Sequence, residues 1–97
     1  MLGAVKRGGM SNNPDLNSIK ETIVFGGTSG AINKPDDASR YFLFISLVTG
    51  TASSSANYNS IQLYYDLLNG NLYARASRDA FTIFDNWFKY NGTAVSQ

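Results

Sequence analysis

The chain has 97 residues and a mass of 10.6 kDa, which is the size of one domain. It contains no histidine and no cysteine, which excludes thiol nucleophiles, disulfides, Cys/His zinc sites and imidazole acid–base catalysis. Eight Lys and Arg against seven Asp and Glu leave a net charge of +1, without the basic cluster that nucleic-acid binding requires. We therefore expect neither an enzyme nor a nucleic-acid-binding protein, and no cofactor.

The surplus of small polar residues indicates the fold class. Serine, asparagine and glycine together occupy 30 of the 97 positions, and they favour turns and extended chain over helix interiors. We predict a mainly β protein, a small antiparallel sheet or sandwich with one short helical turn near the N-terminus. No apolar run approaches the roughly 20 residues of a membrane-spanning helix, and apolar Leu2–Val5 before Lys6-Arg7 reverses the order of a secretory signal. We expect neither membrane insertion nor export by that route.

The N-terminal third divides into an arm and the start of the domain. Residues 1–14 lack apolar periodicity and are predicted to be a linker or docking arm, while residues 15–97 form one β-rich, knob-like domain. Ser18, three residues before Glu21, is expected to cap one short helical turn. Residues 22–25 are β-branched or aromatic and predict a first strand, which Gly26-Gly27 is expected to end.

An almost continuous apolar run occupies residues 41–48. Such a run is typical of a strand that is covered on both faces, and we place it at the centre of the sheet. The polar segment before it, residues 28–39, is expected to be a loop. Residues 49–57 contain Gly50 and three consecutive serines, and they predict a mobile surface loop.

Asn69-Gly70 lies between two alternating runs and strongly indicates a hairpin. A two-residue turn would place Tyr64 opposite Arg75, whereas a four-residue loop at 67–70 would place it opposite Tyr73. Both registers group the same side chains. One face carries Gln62, Tyr64, Asp66, Tyr73, Arg75 and Ser77. The other carries Ile61, Leu63, Tyr65, Leu72, Ala74 and Ala76, and we expect it to be the core.

A last strand is predicted over residues 82–90. Aromatic residues occur there at both alternating positions, as Phe84, Trp87, Phe88 and Tyr90, so alternation does not show which side is buried. The residues after Asn91 are expected to fray.

The candidate ligand-binding residues come from the polar face of the hairpin together with the single tryptophan. They combine aromatic rings with planar polar groups, which suits a saccharide or a protein partner, and they are Gln62, Tyr64, Asp66, Tyr73, Arg75 and Trp87. The same residues would equally make a buried structural cluster, with Trp87 stacked on the Arg75 guanidinium and Asp66 or a carbonyl satisfying it. Both interpretations stand at this point.

Other motifs are weaker. Asp36-Asp37 lacks the spacing of a calcium loop, and Gly26–Gly30 lacks the Gly-Lys-Ser/Thr ending of a phosphate-binding loop, so no metal or nucleotide site is predicted. Asn91-Gly92-Thr93 matches a glycosylation sequon by chance. No serine is distinguished as the nucleophile of a small hydrolase, and no pair of carboxylates is spaced for acid–base catalysis.

The order of the motifs over residues 15–90 resembles the knob-like domains in the tail fibres of R-type pyocins and of many tailed phages. The motifs that carry the resemblance are Asp15-Leu16-Asn17, Asn33-Lys34-Pro35, Gln62–Tyr65, Tyr73-Ala74-Arg75 and Phe84-x-x-Trp87 followed by Lys89. Phe84 stands where the family usually has a first tryptophan, and Ile23 where it has a glycine. Gln62, Arg75 and Trp87 match framework positions of the motif.

The resemblance implies a non-enzymatic virion protein, made in the bacterial host cytoplasm and assembled into the phage particle. It also implies a homotrimer that contributes to recognition of a host-surface saccharide. A second hypothesis is a structural virion component, such as a head fibre, capsid decoration or adaptor protein, which docks through residues 1–14. Expected partners are therefore other copies of the chain, other virion proteins and a bacterial surface saccharide.

Overall fold

Seven strands form one sheet in the computed structural model, which describes residues 6–7, 13–48, 59–78 and 81–96. The strands are β1 (Lys6–Arg7), β2 (Ile23–Gly27), β3 (Phe42–Val48), β4 (Ser60–Asp66), β5 (Asn71–Arg78), β6 (Ile83–Phe84) and β7 (Phe88–Tyr90). They run in the order β1-β2-β3-β4-β5, with β6 and β7 both paired to β5. Only the β1–β2 pairing is parallel among these described strands. The predicted mainly β, antiparallel fold is confirmed, and β3 lies near the centre of the sheet.

The predicted helical turn is a 3₁₀ turn at Leu16–Ser18. Its cap is Asp15, whose carboxylate accepts a hydrogen bond of 2.9 Å from the backbone N–H of Asn17, so the expected cap at Ser18 is wrong. Leu16 is fully buried, which anchors the turn on the core. Within the described ranges, no helix has the length and apolar character needed to cross a membrane.

The first strand ends at the predicted glycine pair, but β2 includes both glycines and does not stop before them. A Cβ atom on Gly26 would lie 2.8 Å from the backbone oxygen of Phe42, which is closer than real side chains allow. Gly26 therefore allows β2 and β3 to pair closely.

The hairpin adopts the second of the two predicted registers. Tyr64 pairs with Tyr73, and a four-residue turn over 67–70 joins β4 to β5. Gly70 has a φ of +74°, a left-handed conformation that glycine adopts without steric cost.

The core lies on the opposite face of the hairpin from the one that alternation predicts. The face carrying Gln62, Tyr64, Asp66, Tyr73, Arg75 and Ser77, called the inner face here, is buried. Residues 13–22 and 28–41 cross it, and Leu16 and Ala38 from these segments pack with the buried aromatics of the sheet. Because these segments also bring backbone carbonyls, polar side chains on this face obtain hydrogen-bond partners.

The apolar face is accordingly not the core of the chain. It carries Ile61, Leu63, Tyr65, Leu72, Ala74 and Ala76 from the hairpin, and we call it the outer face. Ile61 is 50% exposed and Tyr65 40%. The expectation that β3 is covered on both faces is also wrong within one chain, since Leu43 and Leu47 point outward and are 40% and 43% exposed.

The predicted last strand is divided into β6 and β7 by a bulge. Phe84 pairs with Ser77 and Phe88 with Ala74, so three residues, Asp85 to Trp87, face two residues of β5. The extra residue shifts the alternation between β6 and β7. It explains why aromatic residues occur at both alternating positions in this segment.

Two predicted segments cannot be compared with the structure. The loop at 49–57 and most of the arm at 1–14 lie outside the described residues. Within the arm, Lys6–Arg7 forms β1 at the edge of β2.

Candidate functional site

Arg75 lies at the base of a cleft on the inner face, between two aromatic rings. Its guanidinium carbon is 4.6 Å from the ring centre of Phe84 and 4.4 Å from that of Trp87. These distances suit cation–π stacking on both sides of the planar group. The stacking of Trp87 on Arg75 that the sequence suggested is confirmed.

The bulge between β6 and β7 creates this arrangement. In an unbroken strand, residues 84 and 87 would point to opposite faces of the sheet. Since the bulge inserts one residue between them, both rings reach the inner face, where β5 presents Arg75.

Side chains beneath the cleft hold the Arg75 guanidinium in place. Its Nε donates to Gln62 Oε1 at 2.9 Å, and its NH2 donates to Asn17 Oδ1 at 2.7 Å. Gln62 in turn donates to the backbone oxygen of Leu16 at 2.8 Å, which ties β4 and β5 to the 3₁₀ turn. Burial lowers the pKa of Arg75 to about 10, so the group stays charged at neutral pH. Asp66, one of the partners that the sequence suggested, does not contact it.

A second wall of the cleft is formed by an ion pair and a tyrosine. Lys89 Nζ donates to Asp37 Oδ2 at 2.8 Å, and the Tyr73 hydroxyl donates to Asp37 Oδ1 at 3.0 Å. The hydrogen bonds from Lys89 and Tyr73 lower the pKa of Asp37, and the bond to Asp37 raises that of Lys89. Burial, together with the bond to Asp37, raises the pKa of Tyr73. Its hydroxyl therefore stays protonated and keeps donating at neutral pH.

The opposite side is fixed by the Trp87 indole. Its Nε1–H donates to the backbone oxygen of Asn33 at 3.0 Å, and Asn33 Nδ2 donates to Asp15 Oδ1 at 2.8 Å. Asn33 has a φ of +66°, in the left-handed region that asparagine tolerates better than most residues. The loop, the indole and the 3₁₀ turn are thereby joined in one rigid rim.

The cleft enclosed by these groups has a volume of about 530 Å³. Three cationic and three acidic side chains line it, so their charges balance: Lys34, Arg75, Lys89, Asp36, Asp37 and Asp85. Three asparagines, Asn17, Asn33 and Asn86, also line it, together with the aromatic rings. A concave site with aromatic surface and convergent polar groups suits a small neutral polar ligand.

The structure divides the six candidate residues into two sets. Tyr73, Arg75 and Trp87 line the cleft, whereas Gln62 and Tyr64 are completely buried beneath it. Burial raises the pKa of Tyr64, whose hydroxyl donates to the Ser39 oxygen at 2.7 Å. These two residues support the site without reaching its surface.

Asp66 is remote from the cleft and fully buried at the end of the hairpin. Its carboxylate accepts bonds of 2.6–3.0 Å from the backbone and side chain of Ser39, from the backbone of Leu68 and from the backbone and side chain of Asn69. Burial alone would raise its pKa, but the bonds from Ser39 and Asn69 outweigh burial and lower it. Asp66 joins the hairpin turn to the loop that covers the inner face.

Several lining residues were not among the candidates. Asn17 and Asn33 belong to two of the motifs that carry the resemblance, Asp15-Leu16-Asn17 and Asn33-Lys34-Pro35, but their positions at the cleft depend on long-range packing. Phe84 could have been recognised from the sequence, because aromatic residues at both alternating positions are compatible with a bulge. Lys89 was noted only as the basic residue after the tryptophan motif.

Among the residues that the structure describes, no three His, Cys, Asp or Glu side chains are grouped so as to hold a metal ion. Comparison of the chain with protein-family models, with curated proteins and with solved structures finds no match.

Proposed function

We propose that this chain is a non-enzymatic phage virion protein, a tail-fibre knob-like domain that binds a bacterial surface saccharide in the Arg75 cleft. The observation that carries the proposal is the cleft itself, a rigid concave site where aromatic rings lie beside amide, carboxylate and hydroxyl groups. The C–H faces of a sugar ring pack on aromatic rings, while its hydroxyls bond to planar polar side chains. The motif order described above supports the assignment to a fibre.

The balance of charged side chains in the cleft indicates which kind of saccharide it would bind. Because cationic and acidic side chains line the cleft in equal numbers, it offers no net attraction to a polyanion. A neutral oligosaccharide is the better fit. Binding at one cleft is expected to be weak, and several copies displayed together on a particle would gain avidity.

The single tryptophan provides a direct assay. Trp87 is the only tryptophan of the chain, so its indole N–H gives one resonance in a ¹H–¹⁵N spectrum. Titration with neutral oligosaccharides from O-antigens and capsules should shift this resonance in a saturable way. No shift with any of them, and no binding of the multivalently displayed domain to bacterial cells, would refute the proposal. Release of shorter sugars during the titration would refute the non-enzymatic assignment.

A matched pair of asparagine variants tests whether the cleft is the binding site. Asn86 lies at the exposed rim of the cleft, and Asn91 is exposed outside it. Asn86→Ala should weaken binding at least about fivefold, the loss of roughly one hydrogen bond, while Asn91→Ala should leave binding unchanged. Equal effects of the two variants would place the ligand elsewhere.

A structural virion role, with docking through residues 1–14, is the second candidate. Lys6–Arg7 of this arm forms β1, the outermost strand at one end of the described sheet, and such an edge is where a strand of another protein can add. Deletion of residues 1–14 should then abolish incorporation into particles without changing saccharide binding by the isolated domain. Normal incorporation after the deletion would exclude docking through the arm.

A further inference from the structure

The outer face of the sheet is apolar over its whole width. The strand registers place fifteen residues on this face between β2 and β7, and thirteen of them are apolar. The apolar set is Val24, Leu43, Ile45, Leu47, Ile61, Leu63, Tyr65, Leu72, Ala74, Ala76, Ile83, Phe88 and Tyr90. The other two are Gly26 and Arg78, and Arg78 lies at a corner, where it forms an ion pair of 2.7 Å with Asp85.

These residues form rows that cross the sheet without a polar interruption. One row runs from Phe88 through Ala74, Leu63 and Ile45 to Val24. Phe88 is 61% exposed and Tyr90, in the neighbouring row, 57%. The face is therefore a continuous apolar surface.

The face is about as large as the largest apolar patches that monomers leave exposed. Five strands about 4.8 Å apart, with about 3.3 Å per residue over the seven residues of β3 or β4, give a footprint of roughly 550 Å². This flat area is already near the upper end of the largest apolar patches on monomers, roughly 300–600 Å². With its corrugation, the face approaches the roughly 800 Å² that each partner buries in a stable protein–protein interface.

The sequence segments outside the described residues are poor in large apolar side chains. Residues 49–58 contain one large apolar or aromatic side chain, Tyr58, among small and polar ones. Residues 1–5 and 8–12 contribute only Met1, Leu2, Val5 and Met10 as large apolar side chains. Neither set matches an apolar surface five strands wide.

The character of the face favours an identical partner. It carries no acidic residue and one arginine that is already paired, so it cannot select a different protein by charge complementarity. An interface core of this apolar character is typical of homo-oligomers.

We infer that the outer face packs against the outer face of another copy of this chain. The two sheets then lie about 10 Å apart, as in a β-sandwich whose halves come from different chains. The sequence of β3 agrees, because its nearly continuous apolar run is typical of a strand buried on both faces. One face of β3 is buried within the chain, and the other is buried in the assembly. This inference does not depend on the saccharide proposal.

Two isoleucines give a matched test. Ile61, on the outer face, is 50% exposed, and Ile32, in the loop that crosses the inner face, is 51% exposed. Sedimentation equilibrium of the full chain at micromolar concentrations should give the mass of two protomers. Ile61→Lys should weaken the association at least about a hundredfold and yield the mass of one protomer, whereas Ile32→Lys should keep the wild-type mass. A monomeric wild type, or an assembly that persists in Ile61→Lys, would overturn the inference.

A thiol introduced at the centre of the face gives an independent measurement. The chain has no cysteine, so Ala74→Cys contains a single thiol. Its reaction with a bulky maleimide should be at least tenfold slower in the otherwise wild-type chain than in the Ile61→Lys background. Equal rates would show that the face is open in the assembly and would contradict the inference. Circular dichroism of each variant verifies that the fold is kept.

Discussion

Both faces of the sheet depart from the usual rule that apolar residues are buried and polar residues are exposed. The inner face buries an arginine, a glutamine and an aspartate, whereas the outer face exposes leucines, isoleucines and aromatics. The difference arises from what crosses each face. Loops over the inner face supply carbonyls, amides and aromatic rings that satisfy the polar groups, while no described segment covers the outer face. The polar side chains of the inner face can therefore be buried because the loops supply their hydrogen-bond partners.

Removing Asp66 should have the largest effect on the inner face. Asp66→Ala leaves the partly buried N–H groups of Ser39 and the hairpin turn without an acceptor, which should lower the free energy of unfolding by about 3 kcal/mol. Urea denaturation followed by circular dichroism measures this loss. Asp36→Ala, which removes an exposed carboxylate, is the control and should change stability by less than about 0.5 kcal/mol. Equal losses in both variants would contradict the structural role of Asp66.

Replacing Arg75 by lysine should have the next largest effect. Lysine keeps the charge but loses the planar group that stacks between Phe84 and Trp87, and it cannot reproduce both hydrogen bonds. We expect a loss of about 2 kcal/mol in urea denaturation. Arg78→Lys, at an exposed ion pair, should stay within about 0.5 kcal/mol of wild type. A cost for Arg78→Lys as large as that for Arg75→Lys would show that stacking does not matter.

The hydrogen bonds of Asp66 should also make the free energy of unfolding depend on pH. We expect this effect to be smaller than that of Asp66→Ala, because a protonated Asp66 still accepts some hydrogen bonds. The pKa of Asp66 is lowered from its ordinary 3.8 in the folded chain, so its contribution is complete above that value. Stability should be flat from pH 7 to 5 and fall as the pH drops below about 4 towards the lowered pKa. Asp66→Asn should flatten this decline. If Asp66→Asn shows the full wild-type decline, the loss of stability at low pH arises from other carboxylates, such as the exposed Asp37.

The smallest effect is expected at Ser46, also on the inner face. Its hydroxyl is buried and has no hydrogen-bond partner among the described residues, so Ser46→Ala should change stability by less than about 0.5 kcal/mol. Ser77 is equally buried, but its hydroxyl lies 2.5 Å from that of Ser60. Ser77→Ala should therefore cost about 1 kcal/mol. Thermal denaturation of the two variants should separate them, and the reverse order would contradict the described hydrogen bonding.

Local sequence patterns predicted the elements but not the side of the sheet that is buried. The Asn69-Gly70 turn, the run at 41–48 and the grouping of Tyr64 with Tyr73 followed from alternation and turn chemistry, which act over a few residues. Which face became the core depended on where residues 13–22 and 28–41 cross the sheet. That placement rests on long-range contacts such as Gln62 to Leu16, which alternation does not encode.

The sequence likewise predicted some features of the cleft but not all of them. The sequence placed Tyr73 and Arg75 on one face, and a buried structural cluster was one of the two interpretations for the six candidates. Gln62, Tyr64 and Asp66 follow that interpretation, while Tyr73, Arg75 and Trp87 also reach the cleft. The bulge that brings Phe84 and Trp87 together was not predicted, since a register shift depends on pairing with β5 and not on strand propensity alone.

Each chain buries the face of its sheet that combines aromatic and polar side chains, and it leaves the apolar outer face exposed. Paramagnetic relaxation by a soluble gadolinium chelate tests it directly on methyl groups of the Ile61→Lys variant. We expect strong relaxation of the methyls of Leu43 and Leu47 and weak relaxation of those of Leu16 and Ile23. Strong relaxation of Leu16 and Ile23 with protection of Leu43 and Leu47 would contradict it.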